Sequence, residues 1–478
     1  MTADDTSRPS PCDYFRSVQR HEAELSTADL ATFGIHLDGM YLFRNKSGDA
    51  QFMSVERIAR GFCRLVAEHY PLVLGRPTVR ADDGRAVLAV DPDNLCLPDI
   101  GEMAVDQPAE AFFETRPHPD AEKPAVRFFN LRRFYAASGV ARLPQATYNR
   151  DNAAAIVHVI RFQDNAYVAL HISLTHVLFD GMGVTAFFRN WAAYTRGVDD
   201  PECALKTPPV NDRSVVRAYF DSVAAVVPPY LAQFRELTAG RPMASPANIA
   251  PIMMAAPDTP GIEEQHLLHI TPARLKQLRQ DVDPLQTAFL VLAALLAKTA
   301  LQANVQEQGG AVPKISYVMI PYDVRPRSTI PAAFSGNASF LAVAPLDSQA
   351  VLNGSLRDVA SAIAEHSAMT SGAHAKATVE IIENELHVLY QGSAVMCNSA
   401  ASSYVGLTNL RYMSLDQLDF GWGGPEILAC DYYVRDGMMR LHANLQDGGL
   451  DIFLNYTDRR FAHLKESPDL LKYVDVIF

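Results

Sequence analysis

The apolar residues of this chain switch repeatedly between the spacing of an amphipathic helix and the alternation of a strand. Neither a repeat of about 20–50 residues nor a sustained heptad accompanies the switching, which argues against solenoids and coiled coils. We therefore expect a mixed α/β fold, in which helices pack on sheets. A chain of 478 residues has room for about two or three domains of ordinary size.

Several segments in the N-terminal half predict particular elements. Residues 54–68 carry apolar side chains at helical spacing, and the run HYPLVLGRPTV at 69–79 is extended in character. Residues 166–175 alternate between apolar and smaller or polar side chains, which predicts a strand with one apolar face. Residues 215–237 have the pattern of a single helix.

The C-terminal half continues the α/β pattern. Asp283 as N-cap and Pro284 at the first helical position predict a long helix that is apolar on all sides and therefore buried. The run at 314–327 is rich in strand-forming residues. Residues 447–449, Asp-Gly-Gly, lie between two alternating segments and predict a hairpin turn.

Two stretches rich in proline and small residues, 197–214 and 239–261, suggest a connection between domains. We therefore expect an N-terminal domain at 1–205, a crossover segment at 206–262 and a C-terminal domain at 263–478.

Charge and composition exclude several classes of partner. A net charge of −12 without a strong cluster of lysine and arginine argues against nucleic acid. The polar, acidic residues 1–12 do not resemble a signal or transit peptide, and no segment reads as a membrane span. The 6 cysteines lack CxxC spacing and the 14 histidines lack HxH or HExxH spacing, so we expect no metal site. A monomeric, cytoplasmic protein is the expectation.

The clearest candidate for chemistry is His176, which follows directly on the strand predicted at 166–175. A sheet holds such a residue rigidly, and the glycines at 181 and 183 let the chain turn and leave room for a ligand. A neutral imidazole can accept a proton near pH 7 and pass it to a leaving group. The spacing H-x-x-x-D alone occurs by chance, so a structural histidine is the alternative interpretation. His171, on the same strand, is expected to be structural.

Other segments of the sequence are more specific than this motif alone. The run HVLFD at 176–180, together with DFGWG at 419–423, resembles the BAHD acyltransferases, which transfer acyl groups from coenzyme A. Four further segments are similar to that family and keep its order: LSTAD at 25–29, YPLVLGR at 70–76, DGMGVTAFFRNWA at 180–192, and YDVRPRSTIPAAFSGN at 322–337.

The resemblance implies an α/β fold of two chloramphenicol acetyltransferase-like domains, each a mixed sheet flanked by helices, with an active-site tunnel between them. It implies that His176 is the general base of an acyl-CoA-dependent O-acyltransferase whose acceptor is a small hydroxyl or amine compound. Acyl-CoA would be a co-substrate, with no permanently bound cofactor. Asp180 would form an ion pair with Arg325 and, with Gly181, support the catalytic loop.

Other family positions carry over by the same resemblance. The structural motif corresponds to Asp419, Phe420, Gly421, Trp422 and Gly423. Thr408 is either an oxyanion or acceptor contact or a local backbone cap. Three residues are candidates for contacts with coenzyme A: Ser335, Gly336 and Asn337.

Two alternative functions remain open at this point. A condensation-type enzyme would take its acyl group from a carrier protein, although Thr175 replaces the first histidine of the HHxxxDG motif of such domains. A non-catalytic descendant would keep the tunnel to bind a metabolite or lipid.

Overall fold

The computed structural model of the chain describes residues 11–32, 35–123, 125–140, 153–200, 202–239, 266–368, 370–385, 388, 402–413, 418–429 and 436–478. The second proline-rich stretch, at 239–261, therefore lies outside the described residues except for position 239. The division of the chain at 205 and 263 stays a proposal.

The strands of the described residues are β1 His21–Glu24, β2 His36–Arg44, β3 Arg76–Val79, β4 Ala86–Val90, β5 Asp99–Val105, β6 Phe113–Arg116, β7 Val126–Phe129, β8 Ala155–Phe162, β9 Tyr167–Thr175, β10 His266–Ile270, β11 Ile315–Asp323, β12 Ser339–Asp347, β13 Ser402–Asn409, β14 Ile427–Ala429, β15 Met438–Ala443, β16 Leu450–Asn455 and β17 Val476–Ile477.

The α-helices of the same residues are α1 Thr27–Leu30, α2 Val55–His69, α3 Leu131–Ser138, α4 Gly181–Arg196, α5 Ser214–Asp221, α6 Pro229–Thr238, α7 Pro272–Val282, α8 Ala288–Glu307, α9 Ser348–Asn353, α10 Leu356–Ser367, α11 Gly372–Asn384, α12 Asp458–Leu464 and α13 Pro468–Leu471.

Two mixed sheets organise these elements, which confirms the predicted α/β class. The first has the order β14-β2-β9-β8-β5, with a parallel pair only between β8 and β5. The second has the order β12-β11-β13-β15-β16-β10-β17, with β13 parallel to both of its neighbours. Strands β15 and β16 form the hairpin predicted around residues 447–449.

Strand β9 lies in the middle of the first sheet, between β2 and β8. The predicted apolar face is present, since Val168, Leu170, Ile172 and Leu174 join one core, and the opposite face, with its polar side chains, is buried as well. His171 is 1% exposed, and the Tyr135 hydroxyl lies 3.4 Å from its Nε2 atom. Helices α2 and α4 join the core beside this sheet, so the residues after β9 start from a rigid base.

Helix α8 is the buried apolar helix that the sequence predicts, but it begins later than expected. Thr287 is its N-cap and accepts a hydrogen bond from the backbone N–H of Leu290. Asp283 instead follows α7 as its C-cap, and its carboxylate accepts from the N–H of Leu285. Asp283 and Thr287 both have side chains that can cap the start of a helix, and Thr287, which directly precedes the apolar run, is the N-cap of α8.

By length and apolarity α8 is a candidate membrane span, contrary to the expectation that no segment qualifies. Most of the helix is buried among the side chains of the second sheet and its helices, so packing accounts for its composition.

Two further predictions need correction. Residues Pro71–Leu74 form a 3₁₀ turn rather than part of an extended run, and β3 follows it. The single helix predicted at 215–237 is two helices, α5 and α6, separated where Pro228 and Pro229 start the second one. Proline at the first turn of a helix is favourable, whereas inside a helix it removes a hydrogen bond.

One strand connects the two halves of the chain. Strand β14 pairs with β2 at the edge of the first sheet, although all strands of the second sheet come from residues after 265. The C-terminal half therefore completes the sheet that carries β9.

Candidate active site

His176 is held by its backbone at the end of β9. Its N–H donates to the carbonyl of Ile35 at 2.7 Å, and its carbonyl accepts from the Thr32 hydroxyl at 3.2 Å. Both partners belong to the segment that leads into β2, the neighbour of β9. Both backbone hydrogen-bonding groups of His176 are thus paired with residues that precede β2.

Asn337 determines which nitrogen of the His176 ring carries the proton. The Asn337 Nδ2 atom faces three acceptors: Asp29 Oδ1 at 2.9 Å, the His176 carbonyl at 2.8 Å and the Val177 carbonyl at 3.2 Å. This amide orientation leaves Oδ1 facing His176 Nδ1 at 3.1 Å, so Nδ1–H donates to it. The neutral ring then carries its lone pair on Nε2, which is the atom of a potential proton acceptor.

Burial is the main influence on the ionisation of His176. It lowers the pKa of the ring below its ordinary value, while the hydrogen bond to Asn337 and the charges of Asp180 and Asp29 oppose this effect. The net direction keeps the imidazole neutral near pH 7. A neutral imidazole is the form that accepts a proton.

A second layer of buried polar side chains, which includes Asp29 and Arg213, contacts Asn337. The carboxylate of Asp29 is fully buried, and its Oδ1 accepts from Asn337 Nδ2 and from Arg213 Nη1 at 3.0 Å. Its Oδ2 accepts from the N–H and hydroxyl of Ser26 at the start of α1. Arg213 also donates to the carbonyl of Leu178 at 2.8 Å. The layer therefore connects α1, the segment before α5 and the loop after His176.

Asp180 and Arg325 form a buried ion pair beneath this loop. Arg325 donates from Nη1 to Oδ2 at 2.8 Å and from Nη2 to Oδ1 at 3.1 Å, which is the two-point geometry of a strong pair. Burial alone would raise the pKa of Asp180, but the charge and hydrogen bonds of Arg325 lower it overall. Asp180 also accepts from the N–H groups of Gly183 and Ala338 at 2.9 Å, so it caps α4 and joins it to β12.

The residues predicted to contact coenzyme A make several contacts within the protein. Ser335 and Asn337 are buried, and the Ser335 hydroxyl donates to Asn211 Oδ1 at 2.7 Å. The carbonyl of Gly336 accepts from Arg325 at 2.6 Å, and a Cβ atom at this position would lie 1.5 Å from Arg213 Nη1. These contacts make the three residues part of the support of the His176 loop, and their contact with coenzyme A stays a prediction.

Gly181 and Thr408 lie on elements that approach each other. A Cβ atom on Gly181 would stand 2.5 Å from the hydroxyl of Tyr412, so glycine permits this close contact. Tyr412 follows β13, the strand that carries Thr408 near its carboxyl end. The end of β13 therefore reaches the first turn of α4, and Thr408 is partly buried there.

The DFGWG segment packs on the helices behind the first sheet. Phe420 contacts Trp191 edge to face with ring centroids 4.9 Å apart, and the Arg57 guanidinium lies 5.2 Å from the Trp422 ring centroid. The Asp419 carboxylate accepts from the N–H groups of Gly421 and Gly423, both of which have positive φ. The loop is thus closed on itself immediately before β14, and its packing helps to hold that strand on the first sheet.

A cavity of about 450 Å³ lies among the described residues. Its lining includes Ser26, Ala28, Asn211 and Arg213, but not His176. The cavity therefore adjoins the Asp29 layer rather than the His176 ring, and the expected tunnel stays a proposal.

Sequence reasoning did not assign roles to Asp29 and Arg213, and it named Asn337 only as a candidate contact for coenzyme A. Asp29 and Asn337 are 308 positions apart, so no local spacing reveals their contact. The only available signal was the position of Asp29 in the LSTAD segment and of Asn337 in the GN segment.

Known proteins resemble this chain in sequence over nearly its whole length. The model of the Transferase family matches residues 138–471, which is more than half of the chain. Hydroxycinnamoyltransferase 2 of Oryza sativa subsp. japonica is 23% identical over 449 residues, covering 90% of this chain and 91% of that protein.

Solved structures of low sequence identity share the fold. Fusarium graminearum TRI101 in complex with coenzyme A and deoxynivalenol matches with a TM-score of 0.66 and 15% identity, covering 95% of this chain and 99% of that one. Vinorine synthase matches with a TM-score of 0.63 and 14% identity, covering 99% and 96%. The predicted two-domain fold is confirmed by these matches.

Proposed function

Because the chain belongs to the Transferase family of BAHD acyltransferases, we propose that it transfers an acyl group from acyl-CoA to a hydroxyl or amine of a small acceptor. His176 is the general base in this proposal, and a hydroxyl is the favoured acceptor group. The reaction takes place directly between the two bound substrates, without an acyl-enzyme.

The observation that carries the proposal is the hydrogen bond between His176 and Asn337. Because Nδ1–H is committed to Asn337 Oδ1, the lone pair of the neutral ring is on Nε2. No described residue donates a hydrogen bond to Nε2. A general base needs a ring nitrogen with a free lone pair, and Nε2 of His176, at the end of β9, meets this requirement.

The proposed reaction moves one proton and one acyl group. As the acceptor oxygen attacks the thioester carbonyl, its proton passes to His176 Nε2 and a tetrahedral oxyanion forms. When the C–S bond breaks, the same proton passes to the departing thiolate, which leaves as free coenzyme A. The ring returns to the neutral form in which it began. Thr408 is our candidate donor to the oxyanion, from the strand end that approaches α4.

The ion pair of Asp180 has a positioning role in this mechanism. Both of its oxygens are occupied by Arg325 and by backbone N–H groups, so the carboxylate has no direct contact with the His176 ring among the described residues. Its effect is to fix the first turn of α4 and thereby the loop from 176 to 180.

The relatives support the donor and the kind of acceptor. TRI101 was crystallised with coenzyme A and deoxynivalenol, and the rice relative is named for the transfer of hydroxycinnamoyl groups. A panel for this chain should therefore include acetyl-CoA and aromatic acyl-CoAs, with small alcohols and amines as acceptors.

The test is the release of free coenzyme A by wild-type protein and by His176→Ala. We expect acceptor-dependent release that falls at least about 100-fold in the variant, which is within the usual contribution of a general base. Asn384→Ala is a control, because this exposed side chain donates to the Glu380 carbonyl of its own helix. Equal release by wild type and His176→Ala would remove His176 from the mechanism.

The two alternatives give different results in the same assay. A condensation-type enzyme would transfer acyl groups from a carrier-protein thioester and leave the acyl-CoA panel untouched. A metabolite-binding descendant would bind ligands without turnover, and His176→Ala would leave that binding unchanged.

A further inference from the structure

A second polar cluster lies outside the His176 loop and involves three separate elements. His118 comes from the connection between β6 and β7, His269 from β10, and Asp447 from the turn between β15 and β16. The three side chains are 4%, 0% and 5% exposed, respectively. One carboxylate oxygen and two imidazole nitrogens therefore meet in the interior, and the expectation from spacing alone did not anticipate them.

The two distances from the Asp447 carboxylate to the imidazole nitrogens match those between metal ligands. Asp447 Oδ2 lies 3.3 Å from His118 Nε2 and 3.4 Å from His269 Nε2, and all three atoms are within 4.8 Å of one another. Nitrogen and oxygen ligands bind zinc at about 2.0–2.1 Å, so neighbouring corners of the tetrahedron are about 3.3–3.4 Å apart. Charge-assisted hydrogen bonds are shorter, about 2.7–2.9 Å.

The groups behind His269 have the arrangement typical of a metal-binding histidine. His269 Nδ1 lies 2.8 Å from Asp451 Oδ1, and Asp451 Oδ2 accepts from Asn444 Nδ2 at 2.9 Å. This contact fixes the proton on Nδ1 and directs the lone pair of Nε2 at the cluster. The buried Nε2 atom makes no hydrogen bond within the described residues.

The other two side chains are also oriented from behind. Asp447 Oδ1 accepts from the N–H of Gly449 at 2.7 Å, which leaves Oδ2 for the two rings. His118 Nδ1 lies 2.9 Å from the backbone nitrogen of Asp120, whose N–H donates to it, and 3.1 Å from the Asp120 carbonyl, so this segment holds the ring in place. Binding of a metal at Nε2 requires the tautomer in which the Nδ1 proton faces that carbonyl. In each of the three side chains, the polar atom that is not a proposed ligand thus makes a contact of its own that orients the side chain.

We propose that His118, His269 and Asp447 bind one Zn²⁺ ion, with a water molecule completing the tetrahedron. Two neutral imidazoles and two carboxylates, those of Asp447 and Asp451, balance the charge of a divalent ion. The set of two imidazoles and one carboxylate suits zinc better than the all-oxygen preference of Mg²⁺ or Ca²⁺.

The role of this site is structural. The connection between β6 and β7 precedes β8 in the N-terminal half. His269 lies on β10 of the second sheet, and Asp447 lies in the turn between two strands of that sheet. One ion would therefore join the two halves of the chain at a position that contains none of the residues assigned to the acyl-transfer site.

Metal content of the full-length protein tests the proposal directly. Protein purified from zinc-supplemented cells should contain about one zinc per chain after gel filtration, and His118→Gln or Asp447→Asn should contain less than about a tenth of that. His366→Gln is the matched control, because this histidine lies on α10 and its ring contacts the carbonyl of Ala362. The control should retain the wild-type zinc content.

Affinity and coordination are measured separately on chelator-treated protein. Addition of Co²⁺ should produce the intense visible absorption bands of a four-coordinate ion, and Zn²⁺ should displace it. Asp451→Asn should weaken zinc binding by about 10- to 100-fold, as loss of an outer partner usually does, and the two ligand variants by more than that.

The wild-type protein alone also decides the proposal if a variant fails to fold. Its thermal unfolding midpoint should rise on addition of Zn²⁺, because a ligand that binds the folded state stabilises it. Absence of cobalt bands and of any thermal shift would overturn the metal site and leave a cluster held by a proton on His269. Equal zinc content in wild type, His118→Gln and Asp447→Asn would overturn it as well.

Discussion

The side-chain oxygen of Asn337 lies 3.1 Å from Nδ1 of His176, although the two residues are 161 positions apart. Three acceptors around the amide nitrogen fix the orientation of Asn337, and the orientation of Asn337 in turn fixes the tautomer of the histidine. The proposed chemistry at Nε2 thus depends on a residue that is only 1% exposed.

We predict that Asn337→Ala lowers kcat by about 10- to 100-fold and changes KM little. The variant frees the ring to rotate and to place its proton on either nitrogen, and small errors in the position of a base have effects of this size. Steady-state kinetics with saturating acyl-CoA measure the effect. A change confined to KM would contradict a role in orienting the base.

The pH dependence of kcat/KM should reflect the lowered pKa of His176. Burial is the main cause of the shift, and protonation removes the lone pair that accepts the proton from the acceptor. Activity should therefore persist as the pH falls through about 6.5, the ordinary histidine value, and decline only below it. A decline that begins above pH 7 would show that the ring is more basic than its burial predicts.

The buried pair of Asp180 and Arg325 should contribute to both stability and activity. We expect Arg325→Met to lower the free energy of unfolding by about 3–5 kcal/mol, because it leaves the Asp180 carboxylate buried without its cation. Urea denaturation measures the loss. The exposed pair of Arg16 and Asp13 provides the control, since Arg16→Ala should change stability by less than about 1 kcal/mol.

Asp180→Asn tests the positioning role more finely than removal of the arginine. The amide keeps an acceptor for the N–H groups of Gly183 or Ala338 but loses the charge that pairs with Arg325. We expect kcat to fall, while the pH at which activity declines on the acid side stays nearly the same. A large shift of that pH would indicate that Asp180 acts on the His176 proton rather than on the loop.

Local pattern was sufficient to predict the parts of the site that depend on one element. The alternation before His176 identified β9 and the position of the histidine at its end. The same alternation did not reveal that both faces of β9 are buried, because burial of the second face depends on residues far away in the chain. The start of α8 was predicted too early, since an Asp-Pro pair has the same local preference at the end of one helix as at the start of the next.

Contacts between distant segments were not accessible in this way. The partnership of Asp180 with Arg325 came from a family resemblance, and the structure contains that ion pair. The contact between Asp29 and Asn337 and the cluster of His118, His269 and Asp447 arise only when separate strands and loops come together. No spacing within one segment encodes such contacts. The expectation of no metal site considered only local spacings of cysteine and histidine, so it could not take this cluster into account.

Three buried histidines predict a further property, the loss of stability in mild acid. Burial is the largest influence on each, and it lowers the pKa of His171 and His442 to about 3 and that of His266 to about 4. In the unfolded chain these rings bind protons below about pH 6.5, whereas the folded protein leaves them neutral until the pH is near 4. Protons therefore favour the unfolded state between these values.

The slope of this effect can be measured. Each such histidine changes the free energy of unfolding by up to about 1.4 kcal/mol per pH unit, so the three together give up to about 4 kcal/mol per unit between pH 6.5 and 4.5.

Urea denaturation at intervals from pH 6.5 to 4.5 measures the slope, and His171→Gln should reduce it by about a third, because one of the three rings no longer takes up a proton on unfolding. The comparison concerns the slope, so a uniform loss of stability in the variant does not affect it. A free energy of unfolding that stays constant over this range would contradict the burial of neutral imidazoles on which the prediction depends.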